Sequence, residues 1–173
     1  MWMASVTAIA LAVELTQMIA SVKADVHRRF DGTQNFIRLW DDYRKGFRDL
    51  QGEYWLGLVH RMHLITDAGN YELKIVMKGY DEEEMWVQYS EFNVAGESEN
   101  YKLTVGPLSS GNTEDYLKKH NGMSFSTLDR DNDLWSGNCA ELYESGWCFN
   151  NCHETNLNGV YQNNTDYDKF MWG

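Results

Sequence analysis

Apolar and polar positions alternate most clearly over residues 85–92, where Met85, Val87 and Tyr89 fall on one side of an extended chain. Period-two alternation marks a strand with one buried face. Residues 53–58 and 71–78 share this strand-like texture, and Tyr101-Lys102-Leu103-Thr104-Val105 forms another such run, closed by Gly106-Pro107. A short helix is predicted over 41–47, with Asp41 and Asp42 early, Arg44 and Lys45 late and Gly46 as the stop, the charge order that the helix dipole favours. Past residue 120 the periodicity fades into Asn, Asp, Gly and Ser with aromatic residues scattered among them. Backbone of this loop-rich kind keeps its shape through a metal or a disulfide.

Residues 1–24 have a different texture, rich in Ala, Val, Leu, Ile and Met, with no aromatic residue after Trp2. Their apolar run, 6–13, is too short to span a bilayer, so no membrane span is expected. The run resembles a secretory h-region followed by a small-residue site, Val22-Lys23-Ala24. An amphipathic helix, or a stretch unrelated to the rest, is the alternative. The expected organisation is therefore a signal peptide or unrelated segment over 1–24 and one domain over 25–173.

Composition narrows the function classes. With seven Trp, ten Tyr and seven Phe, 43% of the chain is hydrophobic, enough for a core in a chain that buries about 70% of its unfolded surface. Lys and Arg number 15 against 26 Asp and Glu, a formal charge of −11. No basic run is present to displace counterions from a phosphate backbone, so nucleic acid is not an expected partner. Five His residues, at 27, 60, 63, 120 and 153, are scattered without a legible nucleophile and base, so an enzyme is not expected.

The strongest chemical signal is Asp129-Arg130-Asp131-Asn132-Asp133-Leu134-Trp135-Ser136-Gly137. Carboxylates at alternate positions of a tight loop repel one another unless they converge on a hard cation, and calcium accepts oxygen ligands in flexible geometry. This is not an EF-hand loop, because its sixth position would be Leu134 and its twelfth Ala140 where that loop needs Gly and Glu. A solvated acidic turn is the plainer alternative. Of the three cysteines, Cys139, Cys148 and Cys152, none has zinc-type spacing. Any one of three single bridges, or three buried thiols, is compatible with the spacing. A bridge between Cys139 and Cys152 would contribute about 3 kcal/mol by loop closure.

Many separated blocks, in order, carry a resemblance. They are Arg28-Arg29-Phe30-Asp31-Gly32, Trp40-Asp41-Asp42-Tyr43, Gly52-Glu53-Tyr54-Trp55-Leu56-Gly57, His120-Asn121-Gly122-Met123-Ser124-Phe125-Ser126-Thr127, Asp131-Asn132-Asp133, Asn138-Cys139-Ala140, Gly146-Trp147, Cys152-His153 and Asn156-Leu157-Asn158-Gly159-Val160-Tyr161. Together they are similar to the fibrinogen C-terminal domain, found in ficolins, tachylectins, angiopoietin-like proteins, tenascins and fibrinogen chains. The resemblance implies an extracellular α+β domain with a central antiparallel sheet and a loop-rich, calcium-binding C-terminal subdomain. It implies Ca²⁺ held by the carboxylates of Asp131 and Asp133 and the backbone carbonyls of Trp135 and Gly137, and a disulfide pairing Cys139 with Cys152. Cys148 departs from the pattern, which places an aromatic residue there.

In lectin-like members a cis peptide before the second cysteine, here Asn151–Cys152, turns backbone amides toward an acetyl group. The implied ligand site is then Tyr143, Asn151, Cys152, His153 and Tyr167, with calcium bracing the loop from outside the pocket. Trp135, Trp147 and Phe149 are read as core. Asn163-Asn164-Thr165 is a glycosylation sequon. The family pattern also includes a cysteine-bearing segment and a Gly-Gly-Gly-Trp-Thr stretch before Arg28, where this chain has residues 1–24. It continues beyond Trp172-Gly173 with a strand that returns to the sheet, so the expectation is a partial domain.

The functional expectation is a secreted, calcium-dependent recognition domain that binds acetylated glycans in innate immune pattern recognition. The alternatives are an extracellular receptor- or matrix-binding module of the angiopoietin or tenascin type, and a truncated fragment without independent activity. Oligomerisation is compatible with the family, although no collagen-like or coiled-coil stem is legible here.

Overall fold

A computed structural model of the chain describes residues 3–10, 23–48, 51–67, 69–78, 83–161 and 171–172. The strands are β1 (Met3–Ala10), β2 (Lys23–Arg29), β3 (Phe47–Arg48), β4 (Tyr54–Trp55), β5 (Tyr71–Lys78), β6 (Glu84–Tyr89), β7 (Phe92–Val94), β8 (Leu103–Val105), β9 (Leu108–Gly111), β10 (Thr155–Asn156) and β11 (Met171–Trp172). The α-helices are short: α1 (Trp40–Lys45), α2 (His63–Asp67) and α3 (Cys139–Leu142). Seven strands form one sheet in the order β3-β4-β2-β1-β5-β6-β9, and every pairing in it is antiparallel. Two-stranded ribbons β7-β8 and β10-β11 lie outside it. The fold is α+β.

β5 shows why an alternating pattern is readable. Leu73, Ile75 and Met77 are buried while the residues between them are half-buried, and one face of a pleated strand collects every second side chain. Val87 and Tyr89 continue this inward face on β6. The alternating run over 85–92 is divided by a bend at Ser90, and Phe92 turns away to begin β7. Extended backbone over 53–58 is confined to Tyr54–Trp55, and a π-helical turn takes over at Leu58–Met62. Gly57 makes the change of direction, with φ at +100° and only 2.6 Å between a would-be Cβ and the Lys45 carbonyl oxygen. α1 runs one residue ahead of expectation and stops at Gly46, whose φ is +90°.

Residues 3–10, whose texture sets them apart from the domain, form the strand between β2 and β5. Over these residues the amphipathic-helix alternative does not hold, because the backbone is a strand. Ala4 and Val6 are buried beneath the sheet, because small apolar side chains suit a strand flanked on both sides.

Beneath the sheet, aromatic rings tie its β4 side to the loop-rich half. Tyr43 contacts the rings of Trp55 and Phe125 at centroid distances of 5.4 and 5.1 Å. Its hydroxyl donates to the Phe36 carbonyl at 2.7 Å and accepts from the Gly146 amide at 3.2 Å. A Cβ at Gly146 would sit 2.5 Å from the Tyr43 ring, so only glycine allows this approach. Glu53, fully enclosed, accepts the backbone amides of Phe30, Asp31 and Gly32 on Oε1 and that of Gln34 on Oε2. The buried Arg29 guanidinium lies 3.5 Å from the same carboxylate.

Candidate functional site

The acidic loop is pinned where it begins. Ser126 bridges to Trp147, and Thr127 bridges to Arg130. Side chains then alternate in role. Asp129 Oδ1 accepts from the Thr127 hydroxyl at 2.8 Å and from the Trp40 amide at 2.9 Å, so this carboxylate caps α1, a helix 89 residues earlier. Arg130 turns away, its guanidinium 3.9 Å from the centre of the Trp40 ring. Asn132 faces inward, donating from its side chain to the Phe125 carbonyl and from its backbone to Ser126 Oγ.

Asp131 and Asp133 remain as the pair at the loop's outer side. Asp131 Oδ1 accepts the Asp133 amide at 3.0 Å. Asp133 Oδ1 accepts the Trp135 amide and its Oδ2 the Cys139 amide, both at 2.8 Å. Partial burial raises the Asp133 carboxyl above the ordinary carboxylate range, and the adjacent Asp131 charge adds to this against those two amides. A cation between the two would relieve that repulsion. Among the described residues no group of three or more His, Cys, Asp or Glu side chains could hold a metal. A cation here would therefore rest on two carboxylates and on carbonyls such as those of Trp135 and Gly137, a set suited to a hard, oxygen-preferring ion.

Trp135 is not core. It is 38% exposed, with its ring lying over Gly137, where a Cβ would meet it at 2.7 Å. Trp147 and Phe149 are buried as expected.

The loop runs directly into α3, capped by Asn138, whose side chain accepts the Glu141 amide at 3.1 Å. Cys139, at the first position of α3, is bonded to Cys152 with a Cα–Cα distance of 5.6 Å. Cys148 is a buried free thiol, and burial pushes its pKa up to about 12. The Asn151–Cys152 peptide is cis. Tyr143, at the end of α3, packs edge-on against His153 with centroids 4.3 Å apart, and Phe149 lies behind both at 6.3 and 5.9 Å. The acidic loop reaches this aromatic group through backbone: the Leu134 amide donates to the Asn150 carbonyl at 3.0 Å, and the Asn150 amide to the Cys152 carbonyl at 2.8 Å. The structure thus brings Asp131, Asp133, Cys139, Tyr143, Asn151, Cys152 and His153 into one region. Tyr167 and the sequon at 163–165 lie outside the described residues.

His120 organises this region, although nothing in its sequence position marks it for that role. Its Nδ1 lies 2.8 Å from the Cys148 carbonyl, and Nε2 accepts the amides of Glu154 and Thr155 at 3.2 and 3.3 Å. That pattern fixes Nδ1 as the protonated nitrogen of a neutral ring. Burial lowers its pKa to about 4. One imidazole therefore clamps both chain segments that flank the cis bond. Its only sequence signal is membership of the block beginning His120-Asn121-Gly122.

The model of the C-terminal globular domain of fibrinogen beta and gamma chains matches residues 23–173. The chain is 43% identical over 134 residues to Ryncolin-4 of Cerberus rynchops, covering 78% of this chain and 39% of that protein. It is 43% identical over 150 residues to Fibrinogen-like protein 1 of Rattus norvegicus, covering 79% and 47%. It thus spans less than half the length of these relatives. Among solved structures, the fibrinogen-like globe domain of human ANGPTL2 superposes with a TM-score of 0.79 at 36% identity, covering 91% of this chain and 78% of that one. The lamprey fibrin D-dimer complexed with Gly-His-Arg-Pro-amide does so with a TM-score of 0.78 at 29% identity, covering 89% and 60%. Sequence match, sheet and loop architecture agree, and the chain belongs to the fibrinogen C-terminal globular domain family.

Proposed function

We propose that this domain is a secreted, extracellular recognition module whose acidic loop binds Ca²⁺ and whose aromatic pocket takes an acetylated glycan. The observation that carries the reading is the coupling of the two parts, since Asp133 holds the Cys139 amide while Leu134 holds the Asn150 carbonyl beside Asn151 and Cys152. Calcium at Asp131 and Asp133 would fix the loop, and the loop would fix the backbone amides that meet an acetyl oxygen. Tyr143 and His153 would enclose the acetyl methyl group. The Cys139–Cys152 bond suits an oxidising, extracellular compartment.

A calcium titration followed by thermal unfolding tests the metal step. Tm should rise with calcium as mass action requires, and the paired change Asp131→Ala with Asp133→Ala should abolish the rise. Retention on N-acetylglucosamine resin in calcium, with release by chelator, tests the ligand step. Equal passage through the resin in both buffers would overturn it.

A second reading is favoured by Leu134 and Leu142, which are 66% and 52% exposed beside the same site. Apolar side chains at that rim suit a protein or peptide partner. Binding of Gly-His-Arg-Pro-amide, the ligand in the lamprey complex, uncompeted by N-acetylglucosamine, would select this reading over the glycan.

A further inference from the structure

The core is not filled where the sheet meets the loop-rich half. An apolar cavity of about 60 Å³ lies there, with Val6, Leu73 and Ile75 on the sheet side and Phe125, Trp147 and Cys148 on the other. Every residue in its wall is buried, so the space is internal to the fold. Both sides are held in place by backbone. Val6, Leu73 and Ile75 belong to the ladder of β1 and β5. The Trp147 amide donates to the Ser126 carbonyl at 3.1 Å and the Ser126 amide to the Trp147 carbonyl at 2.9 Å, while the Cys148 carbonyl lies 2.8 Å from His120 Nδ1. Walls fixed in this way resist collapse onto the space, and side chains that border a void lose partner atoms on one side. A molecule of the right size restores those contacts.

Polarity decides what that molecule is. The Trp55 indole donates to the Tyr43 carbonyl at 3.0 Å. The Tyr101 hydroxyl is turned toward Glu97, the Cys148 thiol toward the Leu103 backbone, and the His27 ring toward Asn158 and the Leu157 backbone. His27 is also neutral, because burial, with the Arg29 charge adding to it, lowers its pKa to about 3. The surface left facing the cavity is almost wholly apolar. A buried water requires about three polar partners, and a charged guest requires a countercharge. The wall provides neither. Size sets the second limit. An apolar cavity of about 150 Å³ stays dry and admits benzene or xenon, and this one has less than half that volume.

We propose that this cavity is a binding site for a small uncharged apolar molecule, of the class of light hydrocarbons and halocarbons and smaller than a benzene ring. The guest touches strands of the sheet and residues of the loop-rich half together, so its binding stabilises the packing of one on the other. Asp131, Asp133, Tyr143 and His153 are not in the wall, and the site stands whether or not those residues bind calcium or a glycan.

Xenon is the probe, because it binds by dispersion alone. In the full chain with its native disulfide intact, the methyl resonances of Val6, Leu73, Ile75 and Leu157 should shift saturably under xenon pressure, while those of the exposed Leu39 and Leu64 do not. Tm should rise with xenon as mass action requires. Cys148→Phe puts a ring into the space and should abolish the saturable shifts. Cys148→Ala enlarges the space and should lower the xenon dissociation constant roughly twofold or more. No saturable shift in the unchanged chain overturns the proposal, as do equal shifts in a folded Cys148→Phe chain. A Cys148→Ala chain that binds xenon no more tightly than the unchanged one also overturns it, and this arm decides the matter if the phenylalanine variant does not fold.

Discussion

Strand β5 meets β1 through eight residue pairs and β6 through six, and this sheet satisfies its buried backbone almost wholly with backbone. Between residues 120 and 158 side chains share that task with scattered backbone bonds. His120 holds the Cys148 carbonyl and two later amides, Asn132 holds Phe125, Asn150 holds Lys119 and Asn158 holds Gly146. A ladder accepts any residue except proline that keeps the alternation, because its bonds run between backbone groups. A loop region held by side chains is specified residue by residue, and each member removed leaves buried partners unsatisfied. The sheet is therefore tolerant of sequence and intolerant of register, and the loop region is the reverse.

That contrast can be broken in several places. The largest effect is expected at the junction, where Glu53→Ala would strand four amides and leave the buried Arg29 beside an empty space. Chemical denaturation should show a loss of about 3–5 kcal/mol. Next, Cys139→Ala with Cys152→Ala should cost about 2–5 kcal/mol, and limited proteolysis should then cut within residues 120–158 before it cuts the sheet. If the sheet is cut first, the division between the two regions fails.

Acid supplies a third test. Burial holds His120 near pKa 4 and His27 near 3, against an ordinary value of 6.5. The unfolded chain therefore binds protons first as pH falls, and stability is lost progressively from pH 6.5 down toward 4. A fully expressed shift at His120 corresponds to about 3 kcal/mol, and His120→Gln should flatten that part of the profile in urea titrations at stepped pH. The smallest effect is expected at Asp129→Ala, which removes the cap on α1 without touching Asp131 or Asp133. A loss of about 1 kcal/mol with the calcium response unchanged would separate the capping carboxylate from the other two.

Much of the sheet is legible in the sequence itself. The alternation of Leu73, Ile75 and Met77 and of Val87 and Tyr89 is a local property of the chain. The small apolar run at 3–10 suits a centrally placed strand as well as a secretory h-region, since both accept side chains without charge, and its pairing with β2 and β5 is visible only in the fold. In the loop-rich half, spacing marks Asp129, Asp131 and Asp133 alike and only the family resemblance sets the last two apart, while the partner of Asp129, the Trp40 amide, is visible in the fold alone. Hydrophobicity alone places Trp135 in the core, whereas its indole lies over Gly137 and stays partly exposed.

The sequence alone determined the acidic aromatic composition, the alternation of β5 and β6, the acidic loop and, through many ordered blocks, the family. Tertiary structure alone decided that residues 3–10 close the sheet, that Asp129 serves a helix, that His120 clamps the segments around Cys152 and that Cys148 stays a buried thiol. The physical reason is range. Periodicity and loop chemistry act between neighbours in the chain, whereas each of these decisions depends on a partner brought close only by the completed fold.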